Sequence, residues 1–156
     1  MTTVMQRITA LFLTILGLFG LSLTPHSEPQ TTFGPVGVSV SNDTVEFRLE
    51  NQGNPWRWVF EQSGDGAMEE TSREEVDLPV WKRGFGTGRI LYCTFTAKTP
   101  GEVTLNLSQR LPGGSPESKV SEYIVTFNVY PFGGRLAISL QSIEDVTDQL
   151  PSRTQS

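Results

Sequence analysis

Cysteine and histidine are nearly missing from this 156-residue chain, which holds one of each, Cys93 and His26. A structural zinc site needs four Cys or His ligands and a catalytic one usually three, so a Cys/His metal centre is excluded. A single Cys closes no internal disulfide, and the fold must be held by its own core. Basic residues are also scarce. Twelve Lys and Arg against 17 Asp and Glu leave a net charge of −5, the wrong sign for a surface that neutralises nucleic-acid phosphates. Glycine (15) and proline (10) stay well below the levels of a collagen-like or low-complexity chain.

One long apolar run is present. Residues 8–23 (ITALFLTILGLFGLSL) carry no charge and follow a start whose single charged side chain is Arg7. A basic start before an apolar core of this size reads as a secretory signal. It falls slightly short of the roughly 17–25 residues of a membrane span. No Ala-x-Ala cleavage site occurs, and Gly20-Leu21-Ser22 is the nearest substitute. No Cys directly follows the run, which excludes a lipoprotein anchor. Cleavage gives a secreted or periplasmic protein; retention gives a membrane anchor at residues 1–23. Both put the remainder outside the cytoplasm. Residues 24–35 (TPHSEPQTTFGP) read as a linker that contains His26. A Ser-His-Asp or Cys-His site needs its imidazole fixed beside the nucleophile, which an extended linker does not provide.

From residue 36 to 131 the dominant signal is alternation, the mark of half-buried strands. Residues 44–50 (TVEFRLE) put Val45, Phe47 and Leu49 on one face. Residues 56–62 align Trp56, Trp58 and Phe60; residues 90–98 align Leu91, Cys93, Phe95 and Ala97. After the turn Pro100-Gly101, residues 102–108 turn Val103, Leu105 and Leu107 inward. Residues 119–130 do the same with Tyr123, Val125, Phe127 and Val129. Residues 36–40 give a first strand, and residues 76–81 a weaker one interrupted by Pro79. Six to eight such strands in about 95 residues imply one antiparallel β-sandwich of immunoglobulin-like type, without the Cys pair of antibody domains. A domain of this size buries about two-thirds of its unfolded surface, enough for a core without staples. In the tail, 132–156, Leu136, Leu140, Ile143, Val146 and Leu150 recur every three or four residues over 135–150, which fits one face of a short docking helix; a frayed tail is the alternative.

No catalytic set emerges, so an enzyme is not expected. Glu69, Glu70, Glu74, Glu75 and Asp77 lack the spacing of a calcium loop and sit among Ser, Thr and Arg, which reads as a solvated loop. Gly84 to Arg89 (GFGTGR) leads into a strand and not a helix, so it does not match a dinucleotide fingerprint. Cys93 falls on an inward face, where a thiol is a small apolar filler. Asn42-Asp43-Thr44 and Asn106-Leu107-Ser108 match the glycosylation acceptor pattern. Three connections have unusual composition: residues 51–56 (NQGNPW), 84–89 (GFGTGR) and 110–116 (RLPGGSP). In a sandwich alternate loops gather at one end. Three Pro-stiffened, Gly-thinned loops there form a binding edge or are ordinary turns; pattern alone leaves both open.

The order and spacing of these loops resemble those of the chagasin-type inhibitors of papain-like cysteine peptidases. That family has an Asn-Pro-Thr-Thr-Gly loop before an aromatic-x-Trp strand, a Gly-x-Gly-Gly turn, and an Arg-Pro-Trp loop before the final strand. Here VEFRLENQGNPWRWVFE carries the Asn-bearing loop and Trp56-Arg57-Trp58, Gly86-Thr87-Gly88-Arg89 takes the place of the glycine turn, and LNLSQRLP runs toward the third loop. With Trp58 setting the register, Asn51 takes the motif Asn and Pro55 its Gly; with Asn54-Pro55 matched, the loop is three residues short. Arg89 replaces the last glycine, and the third loop has no Trp. The resemblance implies a monomeric, cofactor-free protein that occludes a peptidase cleft. Loop 1 (Asn51, Gly53, Asn54, Pro55, Trp56) would lie over the catalytic thiolate. Loop 2 (Gly86, Thr87, Gly88) and loop 3 (Arg110, Leu111, Pro112) would hold the cleft walls. Trp56 is either an exposed anchor for the partner or core on the face of Trp58 and Phe60. The alternative function is a sandwich of the same kind that serves extracytoplasmic binding or structure without inhibition.

Overall fold

A computed structural model describes residues 26, 28–51, 56–78, 88–113 and 119–150. The alternating segments form nine strands: β1 (Thr31–Phe33), β2 (Val36–Ser41), β3 (Thr44–Asn51), β4 (Arg57–Ser63), β5 (Ala67–Asp77), β6 (Arg89–Thr99), β7 (Gly101–Arg110), β8 (Ser121–Phe132) and β9 (Arg135–Asp145). They make a five-stranded sheet in the order β1-β2-β3-β6-β5 and a four-stranded sheet in the order β4-β7-β8-β9. Every pairing is antiparallel. Without β1 and β9, the orders β2-β3-β6-β5 and β4-β7-β8 are the A-B-E-D and C-F-G sheets of a constant-type immunoglobulin domain.

The core lies between the sheets, where the inward residues of each strand meet. Val45, Phe47 and Leu49 of β3 and Val103, Leu105 and Leu107 of β7 are fully buried. Phe47 sits at the centre, with the rings of Phe60, Phe95 and Phe127 at 5.5, 5.7 and 5.9 Å. Such tilted and edge-to-face pairs each add about 0.5–1.5 kcal/mol beyond burial.

The C-terminal segment departs from the helical expectation: residues 135–145 are β9, the outer strand of the second sheet. Gly133 (φ +58) and Gly134 (φ +76) form a two-residue hairpin turn between Phe132 and Arg135. Both central residues have positive φ, as a turn matched to strand twist requires. The misleading spacing comes from a bulge. Val129 pairs with Ile138 and Phe127 with Leu140, but Val125 pairs with Ile143, so Gln141 is an extra residue. It shifts the inward phase by one and turns a period of two into a step of three. A 3-10 turn at Thr147–Gln149 is the one helical element among the described residues. No helix there is long and apolar enough to cross a membrane, and the apolar run 8–23 lies outside the described residues.

The acidic cluster is also a strand and not a loop. Residues 67–77 form β5, an edge strand whose residues from Glu69 onward are exposed, with a bulge at Thr71. Its charges stay solvated, and they blunt an edge that would otherwise pair with another chain. Of the weaker candidate at 76–81, Val76 and Asp77 close β5, and residues 79–81 lie outside the described residues.

Part of the expected linker is ordered too. β1 pairs with β2 across a Gly34-Pro35 turn, with Gly34 at φ +58. Upstream, Pro29 fills the notch over Gly37, where a Cβ would come within 2.6 Å of Pro29 Cγ. The His26 ring stacks on Tyr92 at 3.6 Å and 8°, with Nδ1 3.4 Å from Glu46 and Nε2 3.1 Å from Glu74. The described partners of this imidazole are carboxylates and a ring, not a Ser or Cys nucleophile.

Candidate functional site

Strand directions place the bases of the three singled-out loops at one pole. β3 ends at Asn51, which pairs with Arg89 at the start of β6, and Asp77 at the end of β5 pairs with the same Arg89. In the second sheet Arg57, which opens β4, pairs with Arg110, which closes β7. Gln109 pairs with Ser121, the first residue of β8. The connections after Asn51, Asp77 and Arg110 therefore leave the sandwich together. The Asn42-Asp43 turn and the β8–β9 hairpin lie at the opposite end.

The two sheets are joined beneath that pole by a chain of side-chain amides. Ser121 Oγ donates to Gln109 Oε1 at 2.8 Å, and Gln109 Nε2 donates to Asn51 Oδ1 at 3.2 Å. Asn51 Nδ2 then donates to the Trp56 carbonyl at 2.8 Å. Asn51 is 7% exposed and Gln109 8%. Asn51 thus lies in the interior beneath loop 1. Gln109 and Ser121 did not stand out in the sequence, although a signal existed. Asn51 follows Val45, Phe47 and Leu49 on the inward phase of β3, and Gln109 follows Leu105 and Leu107 on that of β7.

The remaining loop residues divide by location. Gly53, Asn54 and Pro55 of loop 1 and Gly86 and Thr87 of loop 2 lie outside the described residues. Trp56 is half-buried and stands outside the core cluster, whereas Trp58 is 3% exposed and donates from Nε1 to the Glu50 carbonyl at 3.3 Å. Gly88 closes the neck of loop 2: its carbonyl accepts from the Leu78 N–H at 2.9 Å. A Cβ on Gly88 would come within 2.7 Å of Leu78 Cδ1. In loop 3, Arg110 is held sideways by Glu61 at 2.7 Å and Ser108 at 2.9 Å, Leu111 is half-buried and Pro112 is exposed.

The charges around the base pair with one another. Arg89 reaches Asp77 at 3.1 Å and Glu75 at 3.6 Å, and Lys119 meets Glu122 at 2.9 Å. Burial works against the Glu122 charge, but hydrogen bonds from Lys119 and from Asn106 outweigh it and hold the carboxyl below its ordinary value of 4.5. Beside these pairs, the described loop residues Trp56 and Leu111 are half-buried and Pro112 is exposed.

Elsewhere the chemistry is sparse. Cys93 is fully buried, and burial pushes its thiol up to about 11, only partly offset by Arg73. Among the described residues no group of three or more His, Cys, Asp or Glu could hold a metal ion. Of the two acceptor-pattern asparagines, Asn42 is exposed on a hairpin turn, while Asn106 is half-buried and bound to Glu122 at 2.6 Å. At the far pole Phe132, 72% exposed, borders a cleft of about 220 Å³ with Asn42, Asp43, Arg135, Leu136 and Ala137. Compared with family models, curated proteins and solved structures, the chain matches none.

Proposed function

We propose that this protein is an exported, monomeric inhibitor that occludes the cleft of a papain-like cysteine peptidase with three loops of a rigid sandwich. The observation that carries the reading is the convergence of the three loop bases at one pole, tied across the sheets by Ser121, Gln109 and Asn51. Such a plug needs no reactive group of its own. It lays backbone over the catalytic thiolate and fills the cleft, and a pre-ordered loop loses less entropy on binding. Loop 1 at 53–56, loop 2 at 86–88 and loop 3 at 111–112 are the contact segments, with Trp56 the aromatic anchor. Asn51 and Arg110 support those segments from behind. The net charge of −5 argues for a protein partner over nucleic acid.

A second reading, a non-inhibitory binding or structural module outside the cytoplasm, is favoured by one observation. Asn51 and Arg110, two of the residues expected to touch the peptidase, spend their polar groups on internal bonds. Titrating papain with the full chain separates the two. The inhibitor reading expects reversible inhibition that weakens when Asn54, Pro55 and Trp56 are all replaced by Ala. Unchanged activity of papain and of several cathepsin-like enzymes supports the module.

A further inference from the structure

Asn51, Ser108 and Gln109 are the buried polar residues among those described; Asn51 and Gln109 lie on the inward phase next to the loops, while Ser108, on the opposite face of β7, accepts from Arg110. One step deeper the same strands bury Leu49 and Leu107, so apolar side chains suit this interior. An amide is unfavourable there unless its groups are bonded. Here they are, and the bonds have a direction. The Ser121 hydroxyl donates to the Gln109 carbonyl, the Gln109 N–H to the Asn51 carbonyl, and the Asn51 N–H to the backbone carbonyl of Trp56. Turning either amide over would set donor against donor or acceptor against acceptor. A satisfied directional network of this kind admits one arrangement, whereas an apolar layer tolerates several.

Gln109 is the middle member, and it spans the two sheets. Its backbone carbonyl also accepts from the Val120 N–H at 3.0 Å, so one residue holds the return of loop 3 by main chain and side chain together. Loop 1 crosses from one sheet to the other between Asn51 and Arg57, and its end is pinned at the Trp56 carbonyl. We propose that Gln109 is the positioning residue of the loop pole, coupling loop 1 to loop 3 so that both are presented in one relative arrangement. The effect on inhibition rests on the peptidase reading above; the coupling itself rests on the bonds.

The test uses the full chain with three variants, each followed by thermal midpoint, amide hydrogen exchange and papain inhibition. Gln109→Leu leaves the Asn51 carbonyl without its donor and lowers the midpoint. Asn51→Leu with Gln109→Leu removes both partners, which is often close to neutral, and restores the midpoint. In that double variant the amides of residues 56, 57, 120 and 121 still exchange at least about tenfold faster than in the wild type, and inhibition is about tenfold weaker. Recovery of exchange and inhibition together with the midpoint overturns the proposal, because a merely structural residue behaves that way. If the double variant does not recover its midpoint, Ser121→Ala decides. Removing this one hydroxyl accelerates exchange at residues 56 and 57 across the sheets; an effect confined to residues 120 and 121 also overturns it. A wild type that leaves papain untouched defeats the inhibitor reading alone, and the exchange measurements still judge the coupling.

Discussion

Two tryptophans two residues apart have opposite expected roles, and replacing each by alanine separates stability from binding. Trp58 is 3% exposed, belongs to the core cluster, lies 6.1 Å from the Tyr123 ring and donates to the Glu50 carbonyl. Truncating a buried aromatic of this size costs about 3–5 kcal/mol. For a domain of this length that lowers Tm by roughly 6–20 °C. Trp56 is half-buried and outside that cluster. Full burial of a large apolar side chain is worth about 2–3 kcal/mol, so half of it puts Trp56→Ala near 1 kcal/mol and roughly 2–4 °C. As an interface anchor the same residue is expected to carry about 2 kcal/mol or more, a loss of some 30-fold in affinity for papain. Thermal unfolding and a papain inhibition curve on both variants make the comparison. The reasoning is refuted if Trp56→Ala loses 3 kcal/mol or more of stability, or if inhibition survives it unchanged.

Three other outcomes follow from the geometry. Gly101 has φ +135, and a Cβ there would come within 2.6 Å of the Gly66 backbone nitrogen, so Gly101→Ala should destabilise by about 2 kcal/mol or more, read by urea unfolding. Glu122 is held below its ordinary 4.5, so its contribution is present above that value and lost as pH falls through the lowered one. Glu122→Gln should therefore flatten the stability profile below about pH 4.5, with little change in the remaining acid dependence. Cys93 is fully buried with its thiol raised to about 11, so thiol reagents should label it at the rate of unfolding, faster in urea and negligible in the native protein at pH 8. Fast native labelling would contradict that burial.

The sandwich was legible because inward alternation survives in single strands: Val45, Phe47 and Leu49, or Val103, Leu105 and Leu107, declare their face without any partner. β9 was hidden by its bulge at Gln141, since breaking the phase between Leu140 and Ile143 imitates helical spacing. The Gly133-Gly134 pair was a hairpin signal, but it counts as one only if a strand follows. β5 was hidden because an edge strand with solvent-facing charges shows no apolar face, apart from Met68. The three unusual loops could be placed by composition and topology. Their bracing could not, because whether a polar residue at an inward position is bonded depends on strands far apart in sequence, as Asn51 and Gln109 are. Arg110 shows the same limit: an arginine in a loop motif looks available until Glu61 of a neighbouring strand is seen to hold it.

Occlusion of the peptidase cleft is tested most directly on the peptidase's own thiol. Papain incubated with increasing full-length protein and then challenged with an active-site alkylating reagent should be protected in proportion to the protein added, with saturation at one equivalent. Dilution of the complex should restore its reactivity. Alkylation at the unprotected rate with the protein in excess would contradict a wedge seated over the thiolate.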